Sequence, residues 1–226
     1  MKYPNAYNGI CKIIVAEIFY LIYHCLVLIL YMFLGLGVSQ SDTISRENGL
    51  QALIFMIVML LIAIINIIGF IFRIVGINQA KKDEPHFKKA LAWIVAGIIM
   101  TLIDPALDSL QLTLGDLIDL FAGVFDLMVM ICVLKGIENL AADIGSDEIT
   151  ERTAAVKKLI IVFYAVFALF RLVNSVFCFF MGRDYYVGAV FGMIMMMIPI
   201  IASIISSVLY LRVIIRAREM LGSAQL

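Results

Sequence analysis

A chain of 226 residues that is 64% hydrophobic, only 15% charged and of mean hydropathy +1.07 is not a soluble domain, since soluble chains carry about 45–50% apolar and about a quarter charged residues. That composition excludes disorder, collagen, a coiled coil and a nucleic-acid module. The 17 Lys and Arg cancel the 17 Asp and Glu, so no partner is drawn by net charge, and the information lies in where the charges fall.

A bilayer core about 30 Å thick takes roughly 20 apolar residues of helix. The apolar runs predict an all-α integral membrane protein, one transmembrane domain of six spans at about 10–36, 49–73, 88–110, 111–135, 156–181 and 186–212. A cleaved signal peptide is the competing reading of the first run. At more than 20 residues, that run is too long for a signal-peptide core and no A-x-A site follows it. Asp104, Pro105, Asp108, Asp116 and Asp119 crowd the turn between the third and fourth spans, so a re-entrant hairpin is the alternative there. Asp83-Glu84-Pro85 reads as a helix start. Ser146 reads as an N-cap before the first-turn acids Asp147 and Glu148, which starts the fifth helix well before its apolar run, and Arg212, Arg216 and Arg218 extend the sixth helix past its own.

With the N-terminus in the cytoplasm, Lys2, Lys12, Arg73, Lys81, Lys82, Lys88, Lys89, Lys135, Arg152, Lys157, Lys158, Arg212, Arg216 and Arg218 fall on the inner side, 14 of the 17 basic residues. The other side holds Arg46 and Arg183, and Arg171 lies within a span. The positive-inside rule therefore places both termini in the cytoplasm, in a cell membrane. Trp93 near the inner side and Tyr185 with Tyr186 at the outer side match interfacial anchoring. Basic residues also open each odd-numbered span, at Lys12, Lys88-Lys89 and Lys157-Lys158. Three tandem two-helix hairpins would produce that pattern, although topology alone produces it as well.

Each span carries one polar or small face at helical spacing. The first aligns Glu17, Tyr20, His24 and Tyr31, and the second has Asn66 and Arg73 seven apart. The third aligns Gly97, Thr101, Asp104 and Asp108; the fourth, Asp116, Asp119, Gly123 and Asp126. The fifth carries Tyr164, Arg171 and Asn174 in one stripe, and the sixth Gly188, Gly192, Pro199, Ser203, Ser206 and Tyr210. Gly188-x-x-x-Gly192 reads as a helix-packing signal and Pro199 as a kink. Asp126 lies nine residues before Lys135 and Arg171 lies 13 after Lys158, which sets both roughly 13–20 Å from the inner surface. They are expected to form a midplane charge pair, with Glu17 and His24 as protonatable neighbours and Asn66 and Asn174 as further polar groups of a translocation path. Asp104, Asp108, Asp116 and Asp119 would line an acidic outer vestibule favourable to cations, or be solvated loop carboxylates.

Motifs for chemistry are missing. His24 and His86 lie half a membrane apart, and Cys11, Cys25, Cys132 and Cys178 form no C-x-x-C. Neither a metal nor any other cofactor is implied, and the methionines read as adaptable packing. No P-loop, G-x-S-x-G or H-E-x-x-H occurs. The expectation is a non-enzymatic permease for a small solute, cation or proton. The alternatives are a non-catalytic membrane subunit that binds substrate or anchors a larger complex, and a metal-dependent lipid-processing enzyme using Asp119, Asp126 or the loop acids. Its partners would be the lipid bilayer, the solute and either other proteins or further copies of itself, with no nucleic acid.

Overall fold

The computed structural model describes residues 2–38, 48–108, 115–181 and 186–224, with the side chains of 31, 33–38, 48–52, 103–108, 115–120, 122, 171, 174–181, 186–196 and 199 outside that description. The described residues form six helices and no strand: α1 (Pro4–Val38), α2 (Asn48–Ala80), α3 (His86–Asp108), α4 (Gly115–Ile144), α5 (Asp147–Met181) and α6 (Tyr186–Ser223). Four stretches among the described residues are long and apolar enough to cross a membrane: Pro4–Leu30, Leu53–Ala80, Asp147–Phe170 and Ile200–Ser223. The shortest helix, α3, has 23 residues and so a length of about 34 Å.

Every helix packs against its neighbours in sequence, and α1 also packs on α6, so the six close into a ring. The slightest of these sequential contacts is α2 on α3, the broadest α1 on α2. The outside of the ring is apolar, and Met56, Leu60 and Leu61 of α2 stand between 53% and 61% exposed there. Contiguous apolar surface of this kind is compatible with a membrane protein.

The α1–α2 seam follows from small residues at matching heights. A Cβ on Gly9 would stand 2.5 Å from the Gly76 carbonyl oxygen and 2.8 Å from the Ala80 Cβ, and one on Gly76 would stand 2.7 Å from the Gly9 carbonyl and 2.8 Å from Ile13 Cγ1. Gly69, seven residues before Gly76, is less tight: a Cβ there would stand 3.1 Å from the Phe19 Cβ and 3.3 Å from the Ala16 carbonyl oxygen. Only glycine lets two backbones come this close, and Gly76-x-x-x-Ala80 has the spacing that membrane helices use for close approach.

The dry core gathers at one end of the ring, where Ile10, Ile13, Ile77, Phe87, Leu134, Ile137, Ile160, Tyr210 and Ile214 are fully buried. Polar links between the helix ends surround this core. Asp83, in the α2–α3 connection, accepts from the Ala6 backbone N–H at 2.7 Å, satisfying an orphan donor at the start of α1, and from the Asn5 side-chain Nδ2 at 2.8 Å. Glu84 accepts from Asn139 Nδ2 at 3.1 Å and lies 2.7 Å from His86 Nδ1. Glu138 joins α4 to α5 by accepting from Lys135 and Lys157 at 2.8 and 2.7 Å. Partial burial works to raise the Glu138 carboxyl, but these two lysines outweigh it and hold the group below the usual carboxylate range.

Sequence expectations and helix ends agree in some places and part in others. Ser146 does stand at the start of α5, its carbonyl accepting from the Thr150 N–H at 3.1 Å. It is preceded by Gly145 at φ 81°, and the Ser146 N–H reaches back to the Ala141 carbonyl at 2.9 Å. That is the left-handed glycine closure of a helix, here ending α4 and opening α5 at once. α6 continues through Arg212, Arg216 and Arg218 to Ser223. Asp83-Glu84-Pro85 does open α3, which begins at His86: the His86 N–H donates to Glu84 Oε1 at 3.4 Å and the Phe87 and Lys88 N–H groups to the Glu84 and Pro85 carbonyls at 3.3 and 3.0 Å, while Asp83 turns to the start of α1. In another place the two part. α2 runs seven residues beyond Arg73, and Arg73 is only 5% exposed. It is an interior residue, where the charge distribution had placed it at the inner aqueous end.

Candidate functional site

Antiparallel packing of α1 on α2 along the glycine seam sets Glu17 beside Arg73. The Arg73 Nε lies 3.6 Å from Glu17 Oε1, within ion-pair range but too far for a hydrogen bond. From the other side of the ring, Asp126 of α4 takes a direct hydrogen bond from the Arg73 guanidinium. Tyr164 of α5 donates to the second Asp126 oxygen at 3.0 Å. The guanidinium also lies over the Tyr20 ring, 5.3 Å from its centroid, a cation–π arrangement favoured away from water. One cation thus stands between two carboxyl groups contributed by helices on opposite sides of the bundle.

The two carboxyl groups differ in surroundings. Asp126 is hydrogen-bonded at both oxygens, and its side chain is 38% exposed. Glu17 is 1% exposed, and neither of its oxygens has a hydrogen-bond donor; Arg73 Nε and NH2 and the Tyr210 hydroxyl nearby are likewise without hydrogen-bond partners. Buried polar atoms are normally satisfied, so this cluster is an exception that calls for a reason.

That cluster forms part of the wall of a cavity of about 460 Å³. Glu17, Tyr20 and His24 of α1, Asn66 and Arg73 of α2, Trp93 and Thr101 of α3, Phe125 and Asp126 of α4 and Ser203 of α6 all line it. Trp93 packs against Phe125 with ring centroids 5.8 Å apart. On the α3 side the lining residues Ile98, Thr101 and Leu102 are exposed, Leu102 to 73%. The cavity therefore opens alongside α3, where α2 and α3 make their slight contact.

A second cavity of about 140 Å³ lies among α4, α5 and α6, lined by Gly123, Phe163, Tyr164, Phe167, Ala202 and Ser206. His24, Asp126 and Ser203 line both cavities, so these three side chains form the partition between them. The His24 Nδ1 lies 2.7 Å from the Tyr20 carbonyl and Nε2 lies 2.9 Å from Ser203 Oγ. A carbonyl only accepts, so Nδ1 carries the proton and, in the neutral ring, Nε2 accepts from the serine hydroxyl. A third hollow, about 530 Å³, sits between α5 and α6 among Arg152, Arg212, Arg216 and Glu219 and shares no residue with the first two.

Glu17, His24, Asn66 and Asp126, all expected at a translocation path, converge on the first cavity. Arg171, the expected partner of Asp126, has its side chain outside the described residues, as do Asn174, the vestibule acids Asp104, Asp108, Asp116 and Asp119, and Gly188, Gly192 and Pro199. Within the described residues the partner of Asp126 is Arg73. The signal for it was present in the chain: Arg73 shares a face with Asn66, and no charged residue follows until Lys81. That neutral stretch leaves room for about two more turns of helix inside the apolar region. Among the described residues no three His, Cys, Asp or Glu side chains converge as a metal site would require.

No protein-family profile matches the chain, and no curated protein or solved structure matches it either. The cavity and its charges are therefore the ground for a functional reading.

Proposed function

We propose that the protein spans the membrane six times with both termini in the cytoplasm and carries a small solute or ion through the bundle interior. The observation that carries this reading is the pair of cavities meeting at His24, Asp126 and Ser203, with the Arg73–Asp126 ion pair set beside the partition. Charges inside a membrane bundle cost several kcal/mol to bury even when matched. A packing scaffold has no need of them, whereas a solute path uses them to bind and release cargo. The six-span topology rests on the length of all six helices, the four apolar stretches and the basic residues clustered at one end of the ring.

Uptake into proteoliposomes tests this function with a panel of labelled cationic, zwitterionic and neutral solutes. At least one solute enters faster than into empty liposomes. Asp126→Asn, which leaves Glu17 to balance Arg73, folds and lowers that rate by tenfold or more, about 1.4 kcal/mol of lost stabilisation. Equal rates for the folded Asp126→Asn protein and wild type, or no solute entering above the empty-liposome rate, contradict the proposal.

A further inference from the structure

We propose that the cavity among α1, α2, α3, α4 and α6 binds a hydrophobic organic cation and that the cation displaces a proton from Glu17. The proposal rests on the transport reading above and names the class of its cargo.

Charge is the first observation. The cavity lining holds two carboxyl groups, Glu17 and Asp126, against the single guanidinium of Arg73. Arg73 hydrogen-bonds to Asp126 and stands 3.6 Å from Glu17, so one positive charge is already committed to the closer acid. Glu17 is left buried with no hydrogen-bond donor on either oxygen. Two carboxyl groups share one guanidinium, so the site is one positive charge short, and of the two Glu17, buried and without a hydrogen-bond donor, is the costlier to keep ionised. A cation in the cavity supplies the missing charge, and the Glu17 proton then leaves to water.

The lining decides what kind of cation. Phe70, Trp93 and Phe125 present aromatic surface, and Ile98 and Leu102 stand at the opening. Aromatic faces bind weakly hydrated organic cations well. A small metal ion instead needs six or more oxygen ligands to replace its water, and the described residues gather no such set. A volume of about 460 Å³ suits an organic molecule. Access runs past the exposed apolar rim on α3, where α2 and α3 touch least, so a cation that partitions into lipid reaches the site from the bilayer.

The groups that face Glu17 are consistent with a one-proton exchange. α1 brings Tyr20, Tyr23 and His24, α2 Arg73, α4 Asp126, α5 Tyr164 and α6 Tyr210, while α3 contributes no ionisable side chain to the lining. Asp126 is held by Arg73 and Tyr164, and His24 by the Tyr20 carbonyl and Ser203. Glu17 is the carboxyl group without a hydrogen-bonded partner in this set.

Tetraphenylphosphonium binding to the purified, detergent-solubilised protein tests the proposal, with triphenylphosphine oxide as the uncharged comparison. Wild type binds the phosphonium about tenfold more tightly per unit rise in pH while one proton is exchanged, and weakly buffered solutions acidify by one proton per cation bound. The oxide shows neither effect. Glu17→Gln removes both the pH dependence and the proton release. Should that variant not fold, the wild-type pH series and proton count decide alone. Phosphonium binding without pH dependence, or oxide binding as tight as phosphonium, overturns the proposal. Asp126-dependent flux of a neutral solute would overturn it as well, while leaving the transport reading in place. Proton-releasing phosphonium binding without any flux in liposomes would uphold the site and remove transport.

Discussion

Gly76→Leu yields no folded, monodisperse protein in a detergent that keeps the wild type intact. The side chain would project into the α1 backbone, where even a single Cβ stands 2.7 Å from the Gly9 carbonyl oxygen and 2.8 Å from Ile13 Cγ1. Neither obstacle is the free end of a flexible side chain, so the helices themselves have to separate. Overpacking a tight site costs about 1–3 kcal/mol when neighbours can give way, and Gly76→Ala falls in that range. Leucine exceeds it, because the seam also holds Glu17 at the height of Arg73. Gly222→Ala is the control: its Cβ meets the Tyr7 ring at an ordinary 3.6 Å, and replacing a helical glycine gains up to about 1 kcal/mol. Thermal unfolding followed by size-exclusion chromatography measures all three. A Gly76→Leu protein that melts with the wild type would show that α1 and α2 do not meet along this seam.

The second large effect belongs to Arg73. In Arg73→Met the shape is roughly kept and the charge is lost, leaving the Glu17 and Asp126 carboxyl groups in the interior without their common partner. Removing one member of a buried ion pair costs about 3–5 kcal/mol, chiefly because the surviving charge is stranded. Arg73→Met therefore melts well below the wild type. Adding Asp126→Asn to it restores more than half of the loss, since the stranded acid is then an amide. Non-additivity of that size identifies a direct interaction. Full additivity would mean that Arg73 and Asp126 stabilise the fold independently of one another.

These two residues show where the chain was legible and where it was not. Long apolar runs located all six helices, and four stretches among the described residues are long and apolar enough to cross a membrane, where helix is the simple way to satisfy backbone polar groups. Ser146 announced the start of α5, a local event decided by the cap and the glycine before it. Arg73 was misplaced at a helix end because a basic residue after an apolar run has the same one-dimensional appearance as an anchor. Its burial depends on α2 continuing through Ile74 to Ala80 and on two acids brought in from α1 and α4. The Gly188-x-x-x-Gly192 packing signal lies outside the described side chains, and among the described residues the close approach of two helix backbones falls at Gly9 and Gly76, with Gly69 next along the same seam. Gly9 and Gly76 become partners only once α1 and α2 lie antiparallel in one register. The His24–Ser203 contact joins residues 179 apart, and it exists because α6 returns to close the ring on α1. Periodicity finds which face of a helix is polar; it does not say which faces meet.

Coupled movement across a bilayer is the most direct test of the central claim, that the carboxyl excess around Arg73 exchanges a cation for a proton. Proteoliposomes with an acidic lumen, their membrane potential clamped at zero by potassium and valinomycin, are given external tetraphenylphosphonium while a trapped dye reports lumenal pH. The account predicts that the wild type accumulates the cation above its external concentration as the lumen loses acidity, and that Glu17→Gln brings it only to equal concentrations. Accumulation by Glu17→Gln equal to wild type, or wild-type uptake that leaves the proton gradient untouched, would contradict it.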